Sequence, residues 1–171
     1  MQNASKLQLL SALLKEGNEE KAQETLDEIL ITRKKINGDS EINHTLKIYI
    51  AGPYTPKNAS MHDAAKIAHE NTVNAINFGI EVIEKGHLPY IPHLSHFMHL
   101  YGKKTLSYRY YTEADIEWLH NCDAILYYGN KIGLSKGADN ELKIAIDSGK
   151  RVFFSVNEIP TCRDSAKRYG L

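Results

Sequence analysis

The stretch DAILYYGNKIGLSKGADNELKIAI, residues 123–146, decides the fold. Asp123 to Tyr128 form a short, apolar, β-rich run. A glycine-bearing loop, Gly129 to Gly137, follows and leads into an amphipathic helix that Gly149 stops. Strand, loop and helix in that order make one repeating unit of a parallel sheet. One residue in the helix raises a chemical question. Glu141 falls between Ile144 and Ala145 on the helical wheel, and a carboxylate beside apolar neighbours costs free energy unless it is paired or used.

The same unit recurs on either side. Lys47-Ile48-Tyr49-Ile50-Ala51 is a β-rich run closed by Gly52-Pro53, and residues 63–84 carry apolar side chains at helical spacing up to Gly86. Leu88 to Ile91 form a second strand limited by Pro89 and Pro92, residues 107–121 a helix, and Arg151 to Val156 a fourth strand. Alternating strands and helices imply a parallel sheet with right-handed crossovers, which binds ligands at the carboxyl ends of its strands. The loops at 52–60, 92–107 and 129–138 are therefore where chemistry is expected.

Ahead of this lies a different region. Leu7, Leu10, Leu13 and Leu14, then Ala22, Leu26, Ile29 and Leu30, predict two short amphipathic helices over residues 5–36, broken at Gly17-Asn18. Asn37 to Ser40 read as a turn or linker. A hairpin this small cannot bury its own apolar face, so it packs on the main domain or on another subunit. The expected division is a helical extension over residues 1–45 and an α/β domain over 46–171.

Composition excludes several functions. Lysine plus arginine equals aspartate plus glutamate at 21 each, and the extension has eight acidic residues against six basic. A neutral chain lacks the excess positive charge on which non-specific nucleic-acid or membrane-surface binding rests. Two cysteines, Cys122 and Cys162, make neither a disulfide framework nor a CxxC pair, which suits a reducing cytoplasm. No basic region followed by an apolar run opens the chain, so no signal peptide is expected. No apolar run approaches the ~18 residues that suggest a membrane span.

Within the candidate loops, Ser135 and Gly137 precede or open a helix, where free N–H groups and the helix dipole favour an anion such as phosphate. The alternative is that Ser135 or Asp139 caps the helix. Glu141 is either a solvated first-turn acid or a nucleophile for an anomeric carbon. Asp115, eight residues before Asp123 in DIEWLHNCD, is a surface acid or a second working carboxylate, while Asp123 at a strand start reads as structural. His87, His93, His96 and His99 crowd one segment. No HExxH pattern or nearby cysteine supports a metal there, and His93 is expected to line the pocket. Tyr108, Tyr110 and Tyr111 are expected as lid or core residues.

Taken together, Tyr49 in KIYIAGP, Asp115 and Asp123 in DIEWLHNCD, and Ser135, Gly137 and Glu141 in SKGADNE resemble the nucleoside 2-deoxyribosyltransferase superfamily over residues 46–156. Within it they look most like the branch that hydrolyses the N-glycosidic bond of 2'-deoxynucleoside 5'-monophosphates, and KIYIAGPY also opens a group of related small domains. The resemblance implies a three-layer, Rossmann- or flavodoxin-like sheet of four or five parallel strands. It implies Glu141 as nucleophile, Tyr49 as the hydrogen-bond donor that holds it ionised and aimed, and Asp115 as the group that assists base departure or binds the sugar. Ser135 and Gly137 would take a phosphate, with Gly52, Tyr54, Thr55 and His93 completing the substrate site. In the monophosphate branch the first loop offers a serine and an arginine, whereas GPYTPKN supplies Thr55 and Lys57. The His- and Tyr-rich insertion around 94–110 is a further departure.

The resemblance implies no metal and no organic cofactor. It implies a protein acting on a small nucleotide or nucleoside, assembled as a homodimer or larger homo-oligomer; the cytoplasmic location is expected from the cysteine usage. Hydrolysis is favoured over transfer to a second base. The competing reading is a nucleotide sensor without turnover.

Overall fold

The computed structural model describes residues 2–33, 41–54, 60–104, 106–129 and 131–163. In chain order the elements are α1 (Gln2–Glu16), α2 (Glu19–Arg33), β1 (Glu41–Ile42), β2 (Lys47–Ala51), α3 (Met61–Glu84), β3 (Leu88–Tyr90), α4 (Ser95–Tyr101), α5 (Tyr108–Asn121), β4 (Ala124–Tyr127), α6 (Lys136–Asp147), β5 (Arg151–Phe153) and β6 (Thr161–Cys162). Two short 3-10 turns, Pro92–Leu94 and Val156–Glu158, interrupt the loops.

The main sheet has four parallel strands in the order β3-β2-β4-β5. Both inner strands are apolar on both faces because helices cover both. Alternate residues divide the core. Ile48, Ile50 and Leu126 pack against Ala75 and Val82 of α3, while Tyr49, Ile125 and Tyr127 pack against Leu119 of α5 and Leu142 and Ala145 of α6. The result is a three-layer α/β fold. β3 is an edge strand, which is why it tolerates Pro89. α6 ends in a Schellman turn: Gly149, at φ 68°, donates to Ile146 O at 3.0 Å and Lys150 N to Ala145 O at 3.0 Å. No helix among the described residues is long and apolar enough to cross a membrane.

The helical extension packs on its own chain. Leu10, Leu13, Leu26 and Ile29 join the core cluster that holds α6. Polar contacts tie it down: Arg33 Nη1 donates to Val152 O at 2.6 Å and pairs with Glu158 at 3.0 Å, Gln23 Oε1 accepts from Ile132 N at 2.7 Å, and Ser11 bonds Asp147.

Several boundaries differ from the sequence expectation. The fourth strand stops at Phe153, because Ser155 caps a 3-10 turn, its Oγ accepting from Asn157 N at 3.2 Å. The second stops at Tyr90, one residue early, where Pro92 starts another turn. The expected loop 92–107 holds α4, and a two-stranded parallel pair, β1 with β6, joins the extension to the C-terminal segment. The expected linker over Asn37–Ser40 lies outside the described residues.

Polar groups at the amino ends of the strands are paired with backbone. Asp123 Oδ2 accepts from Lys47 N at 2.8 Å. His87 Nδ1 accepts from Leu46 N at 3.2 Å and its Nε2 donates to Pro160 O at 2.6 Å. Burial lowers the His87 pKa, in keeping with a neutral ring. Lys150 Nζ donates to His120 O at 2.9 Å and Cys122 O at 2.7 Å.

Candidate active site

The chain runs from β2 out to β3 and then returns to the other side of β2 to form β4. The loops after β2 and β4 therefore part in opposite directions, leaving a crevice at their carboxyl ends. A cleft of about 600 Å³ opens there. Its walls include Gly52, Tyr54, His93, Asp115, Ser135, Gly137 and Glu141. Tyr49 lies behind them, fully buried. Thr55, and Lys57 with it, lie outside the described residues.

Glu141 sits one turn into α6, where Leu142, Ala145 and Ile146 bury against the sheet. Tyr49, in the middle of β2, donates its hydroxyl to Glu141 Oε1 at 2.8 Å. Burial and the two nearby carboxylates push the Tyr49 pKa up, so this hydroxyl stays protonated and acts only as a donor. Burial raises Glu141 to about 8; the Tyr49 hydrogen bond opposes this and the Asp115 charge adds to it. The expectation that Tyr49 keeps Glu141 ionised is thus corrected: the bond favours the carboxylate, but desolvation outweighs it.

Asp115 reaches the same cleft from α5 and is likewise raised by burial, to about 6, against a lowering by its hydrogen bond from Tyr90. Tyr90 OH donates to Asp115 Oδ1 at 3.1 Å. Between about pH 6 and about 8 the two carboxyl groups therefore hold one proton between them. One can be an anion while the other is an acid, which is what cleavage assisted by a nucleophile and an acid requires.

The start of α6 forms another wall. Ser135 does cap the helix, its Oγ accepting from Ala138 N at 3.3 Å, and it also lines the cleft. Asp139, in the first turn of α6, is bonded to the loop and the strand. Its carboxylate accepts from Tyr127 OH and from Gly133 N, both at 2.8 Å, and so ties the glycine loop to β4. A Cβ on Gly137 would meet only Ser135 Oγ, at 3.8 Å, so packing within the chain does not demand glycine there. Gly52 is different. A Cβ there would strike the Tyr128 ring, so its glycine is explained by internal packing as well as by the cleft.

His93 is buried, with Nε2 donating to Pro53 O at 3.0 Å, which leaves Nδ1 as the acceptor; that atom has no partner among the described residues. Burial lowers its pKa, so the ring is neutral. Tyr54 OH bonds His96 Nδ1 at 2.9 Å, and Asn71 Nδ2 holds the Tyr54 carbonyl at 2.9 Å. The histidines thus have separate roles, and among the described residues no group of three or more His, Cys, Asp or Glu is placed to hold a metal.

Tyr108 and Tyr111 line the cleft, whereas Tyr110 is exposed and away from it. None of the three is buried in the core, because α5 turns its first turns toward the cleft. Sequence reasoning missed Tyr90, Lys136 and Asn140. Tyr90 was findable from strand register, since it pairs directly with Tyr49 across β2 and β3. Lys136 and Asn140 had only their place around Ser135 as a signal.

Comparison with curated proteins and with solved structures finds no match. Residues 46–155, the span that carries the sheet and every described wall of the cleft named above, match the family described as "Domain of unknown function (DUF7768)", and this chain belongs to that family.

Proposed function

We propose that this protein cleaves the N-glycosidic bond of a nucleoside 5'-monophosphate or nucleoside, or transfers at that bond, with hydrolysis of a monophosphate favoured. The observation that carries the reading is the Tyr49–Glu141 hydrogen bond at a cleft that also holds Asp115. It is the arrangement expected of the nucleoside 2-deoxyribosyltransferase superfamily. An isolated capped helix with a surface acid would need neither a buried tyrosine donor nor a second carboxylate.

The chemistry follows from charge. The singly protonated pair carries its proton mainly on Glu141, so the reactive form is the one in which that proton has passed to Asp115: the ionised Glu141 carboxylate then attacks C1' as the C–N bond breaks, and the base leaves with the proton from Asp115. Positive charge developing on the sugar ring is stabilised by the carboxylate it will bond to. Water then gives a proton to the Asp115 carboxylate as it attacks C1' of the glycosyl ester, releasing the sugar and returning both Glu141 and Asp115 to their starting forms; in a transferase a second base takes the place of water. Tyr49 donates to one Glu141 oxygen and leaves the other for the sugar. A 5'-phosphate would lie at the start of α6, near Ser135, the open face of Gly137 and the exposed amine of Lys136. The aromatic wall of Tyr54, Tyr108 and Tyr111 would receive the base. No step requires a metal or an organic cofactor.

The test is incubation with nucleoside monophosphates and the matching nucleosides, with free base measured by chromatography. Base release from at least one monophosphate, faster than from its nucleoside, is the expected result. Tight binding without release from any of them would favour a nucleotide sensor and overturn the enzyme reading.

A further inference from the structure

The cleft contains a feature that the nucleophile and its donor do not explain. Asp115 has its own tyrosine. Tyr90 OH donates to Asp115 Oδ1, as Tyr49 OH donates to Glu141 Oε1. The two tyrosines stand opposite each other in register on neighbouring parallel strands, with ring centroids 5.5 Å apart. Tyr90 is also stacked on Trp118 of α5, at 5.0 Å with ring planes 19° apart. Trp118 lies one helical turn after Asp115, so a single helix supplies both the ring that holds Tyr90 and the carboxylate that Tyr90 holds.

We infer that Tyr90 is a positioning residue: held against Tyr49 and Trp118, it fixes Asp115 with one oxygen bound and the other left for the substrate. The site is then two tyrosine–carboxylate pairs side by side, one for attack and one for the leaving base. Tyr90 does not line the cleft, so it acts through Asp115. The catalytic consequence rests on the glycosidic reading above; the positioning itself does not.

The groups bearing on Asp115 can be named. Tyr90 faces it from β3, the buried Tyr49 from β2, and Glu141 from α6. The Cys122 thiol, nearest to Tyr90 at the end of α5, is pushed up to about 11 by burial and stays neutral. Among these the Tyr90 hydroxyl is the one bonded to Asp115, and it lowers the Asp115 pKa.

The test titrates Asp115 directly, by carbon NMR of protein labelled at aspartate carboxyl groups, with Asp115→Asn identifying the signal. Tyr90→Phe keeps the stacked ring and removes the hydroxyl. It is expected to move the Asp115 midpoint upward, to shift the low-pH limb of kcat/KM by the same amount, and to lower kcat/KM at neutral pH by about tenfold. Difluorotyrosine at position 90 retains the ring and makes the hydroxyl a stronger donor, and is expected to move the midpoint downward. A midpoint unchanged in both variants overturns the inference, as does a limb that stays in place when the midpoint moves. If the wild-type protein releases no base, the glycosidic reading falls, and the carboxyl titration still decides the role of Tyr90.

Discussion

The two ends of the central strands use polar side chains in opposite ways. At the amino end, Asp123 binds Lys47 N, His87 bridges Leu46 N and Pro160 O, and Lys150 closes over two carbonyls. Side chains there satisfy backbone. At the carboxyl end, Glu141 and Asp115 each receive one tyrosine hydroxyl and line a cleft. Both are raised by desolvation, from the ordinary 4.5 to about 8 and from 3.8 to about 6. A solvated acid bonded to backbone costs the fold little, whereas an acid desolvated in a cleft is costly to the fold and useful to a ligand.

That contrast can be broken by substitution at either end. Glu141→Gln keeps the shape and the acceptor for Tyr49 but removes the nucleophile, and should slow base release by at least about a thousandfold. Asp115→Asn should cost about a hundredfold, the scale of one lost acid catalyst, with the fold intact by circular dichroism. The pH profile of kcat/KM should be bell-shaped. It should rise through about 6 as the pair loses its first proton, and fall through about 8 as the second leaves and no acid remains. Tyr49→Phe should move the upper limb higher, since its hydrogen bond lowers the Glu141 pKa. Ser135→Ala should raise KM by about tenfold for a monophosphate, with little change for the nucleoside, while loss of the cap costs about 1 kcal/mol of stability. The smallest effect belongs to the amino end: Asp123→Asn should leave base release within about twofold and lower stability by about 1 kcal/mol or less, read from denaturant unfolding.

The raised carboxyls also fix the sign of a stability change. Their protonated forms are favoured by the folded state, so this contribution is complete below the ordinary carboxylate range. It is lost as pH rises through about 6 and about 8. Glu141→Gln escapes its share of that loss, so its melting temperature should gain on the wild type as pH rises.

The parallel sheet was legible because its inner strands are short apolar runs bounded by glycine and proline, and its helices keep a clear apolar stripe. The short β1–β6 pair was not, because two residues of backbone pairing leave no side-chain pattern. Position alone leaves Glu141, Asp115 and Ser135 open to bland readings, and the family resemblance singles them out; they line one cleft with Tyr49 directly behind. Tyr90 escaped because its role comes from register against Tyr49, which a linear reading does not supply. The protonation of the pair escaped for a related reason: burial outweighs the Tyr49 bond only once the sheet and α6 have closed around Glu141.

Whether Glu141 bonds to the sugar can be read directly. The protein is mixed with a substrate that it cleaves, quenched in acid, and any sugar-phosphate adduct is mapped by peptide mass spectrometry. The adduct is expected on the peptide carrying Glu141, and none in Glu141→Gln. An adduct on Asp115, or base release that persists unchanged in Glu141→Gln, would contradict the role of Glu141 as nucleophile.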